Sequence, residues 1–193
     1  MDFDRNKNDV LKRKDKSLKG SIDSKILQLV EEINSLKDYF TTSSCSGRIL
    51  VIRKHQGSKK DAEWLFLSHD TVDDLDLGEL PEEEAWFKME PMILHIACRN
   101  IDSAKKLLAA ARESGIKRSG IIAAGENPVL EIIGSQNIET VMSRYRKMLF
   151  GKDYLKVLIE SANFKMQKNH DNIKKLYNKI KKLDKELYNQ PDN

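Results

Sequence analysis

The clearest pattern in the chain is a run of positions near its C-terminal end, spaced alternately by four and three residues. The run consists of Leu155, Ile159, Ala162, Met166, Asn169, Ile173, Leu176, Ile180, Leu183 and Leu187, with Asn169 its single polar member. This spacing is a heptad seam and predicts one long helix over residues 152–188. We expect half of it to pack on a sheet. The other half should project and need a partner, which predicts a monomer completed by the N-terminal helix or a helix-mediated dimer.

Three more segments have helical signals. Residues 2–16 are polar and predict a first helix, followed by a basic loop at 16–20. A second helix should begin at a Ser21 or Asp23 cap. Its apolar face follows the helical period and comprises Ile22, Ile26, Leu29, Val30 and Ile33. A third helix should run from an Asp102 cap to Glu113 and end at Ser114 and Gly115.

Apolar runs between turn residues predict the strands. They cover residues 39–44, 48–54, 63–69, 86–98 with a break at Pro91, 119–124, 129–134 and 138–150, the last with a basic end. Residues 71–84 indicate an acidic excursion with a short helix. Residues 92–124 read strand, helix, strand and predict a βαβ unit. The expected fold is α+β, with a mixed sheet, flanking helices and the long C-terminal helix.

Length and charge refine this picture. A chain of 193 residues suits one domain, with a core at about 20–163 and a basic helical arm at about 164–190. The net charge is only +4, but eight acidic residues lie within 70–84 and eight lysines within 165–188. This asymmetry favours a polyanionic partner, although two unrelated solvated segments would give the same composition.

Several kinds of site are absent from the sequence. Cys45 and Cys98 form no close pair, and no Cys/His cluster has zinc-ligand spacing, so we expect no metal. No glycine-rich dinucleotide fingerprint or P-loop occurs. No apolar run approaches the ~20 residues of a membrane span. We therefore expect a cytoplasmic protein that does not contact a membrane.

The most informative segment, residues 41–49, reads Thr-Thr-Ser-Ser-Cys-Ser-Gly-Arg-Ile. It predicts a tight turn that enters a strand. Ser44, Cys45 and Ser46 offer small polar groups, Gly47 permits a positive φ, and Arg48 presents a planar fork that matches a carboxylate or phosphate. The segment is thus a candidate anion-binding turn. The alternative is a Ser/Gly-rich hairpin turn with a surface arginine.

Histidines are the candidates for proton transfer and ligand contact. His69 ends a predicted strand, and Asp70 could orient its ring; the alternative is a histidine that fixes a loop. His95 should share a strand face with Arg99. An arginine buried there needs an anion, which either Glu90 or a ligand would supply.

Other residues are candidates for contact with a substrate. Trp64 could stack on a base, although packing in the core is the commoner use of tryptophan. Arg118, before Ser119, could hold a phosphate or instead interact with a helix C-terminus. Asn163 lies within the last helix, where asparagine lowers helix propensity, so a hydrogen-bonding role is expected.

Five ordered blocks carry a family resemblance. They are residues 19–23 with 39–48, residues 64–70, residues 88–99, residues 104–121 and residues 154–163. Together they resemble the tRNA wybutosine-synthesising protein 3 family, N4-methyltransferases of the wybutosine/wyosine pathway that act on phenylalanine tRNA. The resemblance runs from about Phe3 to Lys182, nearly the whole chain.

The resemblance implies methyl transfer from S-adenosylmethionine to N4 of the tricyclic base 3′ of the anticodon. On this interpretation His69 and Asp70 are catalytic. The methyl donor would contact residues 44–48, His95 and Arg99. The anticodon stem-loop would contact Trp64, Arg118, Ser119, Asn163, Arg144, Lys165 and Lys168. The alternatives are a non-catalytic RNA-binding module, an enzyme acting on a small anionic metabolite, and a coiled-coil interaction protein.

Overall fold

The computed structural model of the protein describes residues 2–12, 22–53 and 63–188. These divide into two compact units, each built from separate stretches of chain. The first unit draws on residues 1–46, 92–135 and 170–193, and the second on residues 47–91 and 136–169. The predicted basic loop at 16–20 lies outside the described residues, and a single domain over 1–193 stays a prediction.

The described residues form four helices and nine short strands. In chain order they are α1 (Phe3–Leu11), α2 (Ser24–Ser35), β1 (Tyr39–Cys45), β2 (Arg48–Arg53), β3 (Glu63–Ser68), β4 (Ala85–Glu90), β5 (Ile93–Cys98), α3 (Ile101–Glu113), β6 (Gly120–Ala123), β7 (Val129–Ile133), β8 (Ile138–Arg144), β9 (Lys147–Met148) and α4 (Lys152–Tyr188). Among the described residues, no helix combines the length and the apolar character that a membrane crossing requires.

The strands form two antiparallel sheets, one in each unit. The first sheet has the order β1-β5-β7-β6 and the second the order β3-β2-β4-β8-β9. The predicted α+β class is confirmed. The sheets differ from the expected mixed one, since every neighbouring pair in the described chain is antiparallel. Strands β5 and β6 do flank α3 as predicted, but β7 lies between them, so they do not pair with each other.

The core of the first unit lies on one face of its sheet. Alternate residues of β5, Leu94 and Ile96, are buried there together with Ile26 of α2 and Leu107 of α3. The opposite face carries Phe40, whose ring packs against Phe3 of α1 with centroids 5.2 Å apart. Helices therefore cover both faces of this sheet.

Strand and helix residues together form the core of the second unit. Phe87 and Met89 alternate along β4 and are fully buried, as is Ile49 of β2. Helix α4 adds Ile159 and Met166 from its heptad seam. The seam thus packs within a unit, as expected for the first half of the helix.

The second half of α4 does not project. Ile173, Leu176 and Ile180 are buried in the core of the first unit. The expectation of a projecting arm that needs a partner is therefore wrong for the described residues. The same 3.5-residue repeat suits a helix–helix seam and a helix packed on a core, so the pattern could not distinguish them.

Two smaller predictions are wrong and a third is confirmed. The cap of α3 is Asn100, whose Oδ1 accepts the Ser103 N–H at 2.8 Å, and not Asp102. Residues 71–84 contain no helix, so the short helix expected there is wrong. The break at Pro91 is confirmed and is complete, because β4 and β5 belong to different sheets.

Candidate active site

Residues 44–48 connect one sheet to the other. Ser44 and Cys45 end β1, Ser46 and Gly47 form the link, and Arg48 begins β2. Within the described chain β1 pairs with β5, and β2 pairs with β3 and β4, so the hairpin alternative is wrong. Gly47 has φ 98°, a left-handed conformation that favours glycine. The predicted strand after this segment is confirmed, because β2 begins at Arg48.

Ser46 is buried and anchored by a carboxylate of the first unit. Oδ2 of Asp23 accepts both the backbone N–H of Ser46 at 3.1 Å and its hydroxyl at 3.2 Å. Asp23 occupies the N-cap position of α2 without capping the helix by its side chain. The two donors of Ser46 thus bind a protein anion. Sequence reasoning identified Asp23 only as a cap, because the pairing depends on the fold.

Arg48 lies in the second unit between an acid and an aromatic ring. Its Nε donates to Oε2 of Glu90 at 2.7 Å, its cross-strand partner in the register of β2 and β4. The guanidinium carbon lies 4.7 Å from the centroid of the Trp64 ring. Trp64 is 37 % exposed, so it is not the core residue that the alternative interpretation expected. The pair combines a planar cation with an accessible aromatic surface.

His69 follows β3 in the same unit and is half-buried. Its Nδ1 lies 2.9 Å from the carbonyl oxygen of Gly47. A carbonyl oxygen only accepts, so Nδ1 carries the proton and the neutral ring has its lone pair on Nε2. The backbone of the turn therefore sets the tautomer of His69. A histidine that merely fixes a loop would make the same contact.

Two side chains organise the segment that follows His69. Oδ1 of Asp70 accepts the Thr71 N–H at 3.0 Å. The amide of Asn163 in α4 binds both backbone groups of Val72, accepting its N–H at 2.9 Å and donating to its carbonyl at 2.7 Å. The hydrogen-bonding role expected for Asn163 thus includes holding this loop. Its contact with a substrate stays a prediction.

His95 lies in the first unit at the centre of a polar row across three strands. Its Nδ1 is 2.8 Å from the hydroxyl of Ser43, and its Nε2 is 3.0 Å from Oε2 of Glu131. The carboxylate only accepts, so a neutral ring donates from Nε2 and accepts the Ser43 hydroxyl at Nδ1. The acid paired with His95 is Glu131, which sequence reasoning missed. Its signal was a single charge within the apolar strand β7.

Arg99 is held by two acids of the first unit. Nε donates to Asp38 at 2.6 Å, and both Nη groups donate to Asp4 of α1. The guanidinium also lies 4.6 Å from the ring centroid of Phe3. The hydrogen bond from Arg99 lowers the pKa of Asp4, and the same bond raises the pKa of Arg99. Neither Glu90 nor a ligand is needed to balance this arginine, contrary to expectation.

The predicted substrate contacts of the first unit lie in the turn before β6. Arg118 is exposed there. Ser119 is buried, and its hydroxyl donates to the carbonyl of Ile116 at 2.9 Å. Arg118 is therefore accessible to a phosphate, whereas the Ser119 side chain stabilises the turn.

The predicted substrate contacts of the second unit are cationic. Arg144, near the end of β8, pairs with Glu84, and this hydrogen bond raises the pKa of the arginine. On α4, Lys165 is half-buried and Lys168 is exposed. The two lysines lie one helical turn apart, close enough to contact one nucleic-acid backbone.

Comparison with known proteins decides the family. The family model described as "Methyltransferase TYW3" matches residues 5–182. This chain belongs to the TYW3 methyltransferase family. The resemblance carried by the five sequence blocks is thereby confirmed, and so is the enzyme class.

Relatives of the TYW3-family chain span archaea and mammals. It is 32% identical over 190 residues to the tRNA(Phe) 7-((3-amino-3-carboxypropyl)-4-demethylwyosine(37)-N(4))-methyltransferase 1 of Pyrococcus horikoshii, covering 95% of this chain and 97% of the relative. It is 35% identical over 186 residues to the mouse tRNA wybutosine-synthesizing protein 3 homolog, covering 92% of this chain and 72% of that protein. The solved structure of the PH1069 protein from Pyrococcus horikoshii superposes with a TM-score of 0.81 at 32% identity, covering 92% and 95% of the two chains.

Proposed function

We propose that this TYW3-family chain methylates N4 of the 7-(3-amino-3-carboxypropyl)-4-demethylwyosine base, 3′ of the anticodon in phenylalanine tRNA, with S-adenosylmethionine as donor. The names of the archaeal relatives support the reaction and the substrate. The observation that carries the proposal is the arrangement around Gly47. Its carbonyl orients His69, and the next residue, Arg48, lies over Trp64.

The residues beside Gly47 fit the proposed donor chemically. S-adenosylmethionine, when bound, supplies an electrophilic methyl group on a sulfonium. Among the described residues Arg48 bonds only Glu90, through Nε, so the outer edge of its fork suits the donor's carboxylate. The accessible ring of Trp64 suits a purine, either that of the donor or the tRNA base. Gly47 permits close approach of the backbone.

The other predicted donor contacts lie in the first unit. Ser44, Cys45 and Ser46 precede Gly47 directly in the chain, and we propose that they shape the donor site through their backbone. His95 and Arg99 already have acidic partners. We propose that these two residues contribute less to donor binding, and that their partner acids fix their orientation.

His69 is the proposed acceptor for the proton that N4 loses on methylation. With Nδ1 committed to the Gly47 carbonyl, Nε2 is the basic nitrogen of the neutral ring. Histidine is the side chain that most often acts as a general base in enzymes. Asp70 fixes the start of the following loop through Thr71. Methyl transfer itself needs alignment and no covalent enzyme intermediate.

We propose that cationic side chains bind the phosphates of the tRNA. Arg144, Lys165 and Lys168 would contact phosphates. Arg118, in a turn that Ser119 stabilises, is a separate candidate for a phosphate contact. Phosphate contacts release counterions, so binding should weaken steeply with salt. Asn163 would act through the loop that it holds.

A transfer assay tests the proposal. Purified protein is incubated with methyl-labelled S-adenosylmethionine and phenylalanine tRNA that carries the demethylated base, with fully modified tRNA as control. Label should enter only the hypomodified tRNA. RNA binding without transfer would instead indicate the non-catalytic RNA-binding module.

Two variants separate the roles of His69. His69→Asn keeps an N–H donor for the Gly47 carbonyl but removes the base, and kcat should fall about 10²–10⁴-fold. His69→Ala removes both functions. If His69→Asn retained full activity and His69→Ala did not, the histidine would only fix the loop.

Arg48→Ala should raise KM for the methyl donor. Lys105→Ala is the charge-matched control, because it removes one positive charge from α3. Lys105 itself pairs only weakly with Asp102, with Nζ 3.8 Å from Oδ1. Arg48→Lys keeps the charge and loses the fork. Rescue by lysine would contradict bidentate recognition.

A further inference from the structure

The outward face of α4 carries an apolar stripe that no core explains. Tyr154, Val157 and Phe164 are 51, 56 and 72 % exposed, and they lie in the second unit. Their spacing of three and seven places them on one side of the helix. Residues on the other side of the same turns, such as Ile159 and Met166, are buried.

Phe164 is the most exposed large apolar residue in the described part of the chain. An exposed aromatic ring within an apolar stripe commonly marks a contact surface. The Tyr154 ring packs at 4.8 Å from that of Phe150, which holds the start of the stripe in place. The stripe is therefore ordered at one end and accessible along its length.

The charges around the stripe select its partner. Residues 152–168 contain four lysines and two acidic residues. Lys165 follows Phe164 directly, and Lys168 lies one turn further on. A second copy of the chain, docked on the same face, would bring two segments of net positive charge together. A polyanion with flat apolar groups would satisfy both the lysines and the ring.

We infer that this α4 face binds unpaired nucleotides of the tRNA, with a base stacked on Phe164 and phosphates at Lys165 and Lys168. This inference rests on the proposed function for its substrate class. RNA loops splay bases that stack on aromatic side chains, whereas paired bases offer no free face. Tyr154 and Val157 extend the apolar surface beside the stacked base.

The salt dependence of RNA binding distinguishes base stacking on Phe164 from contacts between lysines and phosphates. The affinity of the protein for the anticodon stem-loop RNA is measured over a range of salt concentrations. Phe164→Ala should weaken binding about five- to 150-fold at every salt concentration, without changing the slope. Lys168→Gln should reduce the slope of log K against log salt by about 0.7–0.9, the value of one lost phosphate contact.

Matched variants make the test specific. Phe164→Trp should restore binding, whereas Phe164→Leu, which is apolar without a π-face, should behave nearly as alanine does. Ile122→Ala removes an apolar side chain of the first unit that is 56 % exposed, and this variant should bind normally. A fully paired RNA of the same length should bind wild type and Phe164→Ala equally.

Several results would overturn the inference. They are unchanged RNA affinity of Phe164→Ala, full rescue by leucine, no RNA binding by the wild type, or a wild-type dimer that Phe164→Ala dissociates. The methyl-transfer assay distinguishes this failure from that of the proposed function. If the protein transfers methyl groups and Phe164→Ala binds RNA as wild type does, only the stacking is refuted. If RNA binding depends on Phe164 but no methyl group is transferred, only the proposed reaction is refuted.

Discussion

The side-chain amide of Asn163 should contribute measurably to the free energy of unfolding. It accepts the N–H of Val72 at 2.9 Å and donates to the carbonyl of Val72 at 2.7 Å, as the backbone of a neighbouring strand would. Val72 is buried, at 7 % exposure. Asn163→Ala would leave both backbone groups without their partner, in a place where water does not easily replace it.

The magnitude follows from those two contacts. Each hydrogen bond contributes about 0.5–1.5 kcal/mol net, and a stranded buried backbone group costs about 1–3 kcal/mol. Losing the pair should therefore cost about 2–4 kcal/mol. Alanine regains about 0.6 kcal/mol in helix propensity, because residue 163 lies within α4. The free energy of unfolding should fall by about 1.5–3.5 kcal/mol.

Urea denaturation measures the loss, and hydrogen exchange locates it at the Val72 amide. Asn163→Asp keeps the acceptor but turns a carboxylate toward the Val72 carbonyl, so it should destabilise at least as much. Lys156→Ala, exposed on the same helix, should stay within about 0.5 kcal/mol of wild type. A similarly small change for Asn163→Ala, with Val72 still protected, would refute the reasoning.

Other predictions concern strain, pH and thiol chemistry. Arg146 has φ 57°, so Arg146→Gly should raise the urea midpoint by an amount equivalent to about 1 kcal/mol; a lower midpoint would contradict the strain argument. The pKa of Asp4 is lowered from 3.8 by Arg99, so their pair stabilises α1 above that pH and is lost as the pH falls below it. The protection factors of the α1 amides, which are corrected for the intrinsic exchange rate at each pH, should fall with acid in wild type but be low and independent of pH in Asp4→Asn. Burial raises the pKa of Cys98 to about 12, so its thiol stays protonated at pH 8.5, and iodoacetamide should label Cys45 and spare Cys98 in a mass-spectrometric map. Labelling of Cys98 in the folded protein would contradict this.

Periodicity predicted the elements well because it reports burial. The seam of α4 and the strands around residues 48–53 and 93–98 follow from apolar spacing alone. Periodicity could not assign an element to a sheet. β1 and β2 are separated by two residues and join different sheets, a choice made by long-range pairing with β5 and with β4.

Site residues were found where the chemistry is local to the sequence. The turn at 44–48 and His69 stand out by residue type. Their partners do not, because Glu131 reaches His95 only through the register of β5 and β7, and Asp4 reaches Arg99 across 95 positions of sequence. Asp4 lies in a polar segment, where its carboxylate cannot be distinguished in the sequence from a solvated one. Arg99 was expected to bind an anionic ligand for that reason.

The interleaved segments of the two units bear on how the chain folds during synthesis. The first unit begins within residues 1–46 but needs Ile173, Leu176 and Ile180 to complete its core. A ribosome must therefore make the chain as far as Ile180 before that core can close, and contacts so distant in sequence form slowly. Until then the apolar faces of α2 and β1 stay exposed, which favours aggregation. Cells that make this protein quickly should depend on chaperones that shield the N-terminal segment until α4 has emerged.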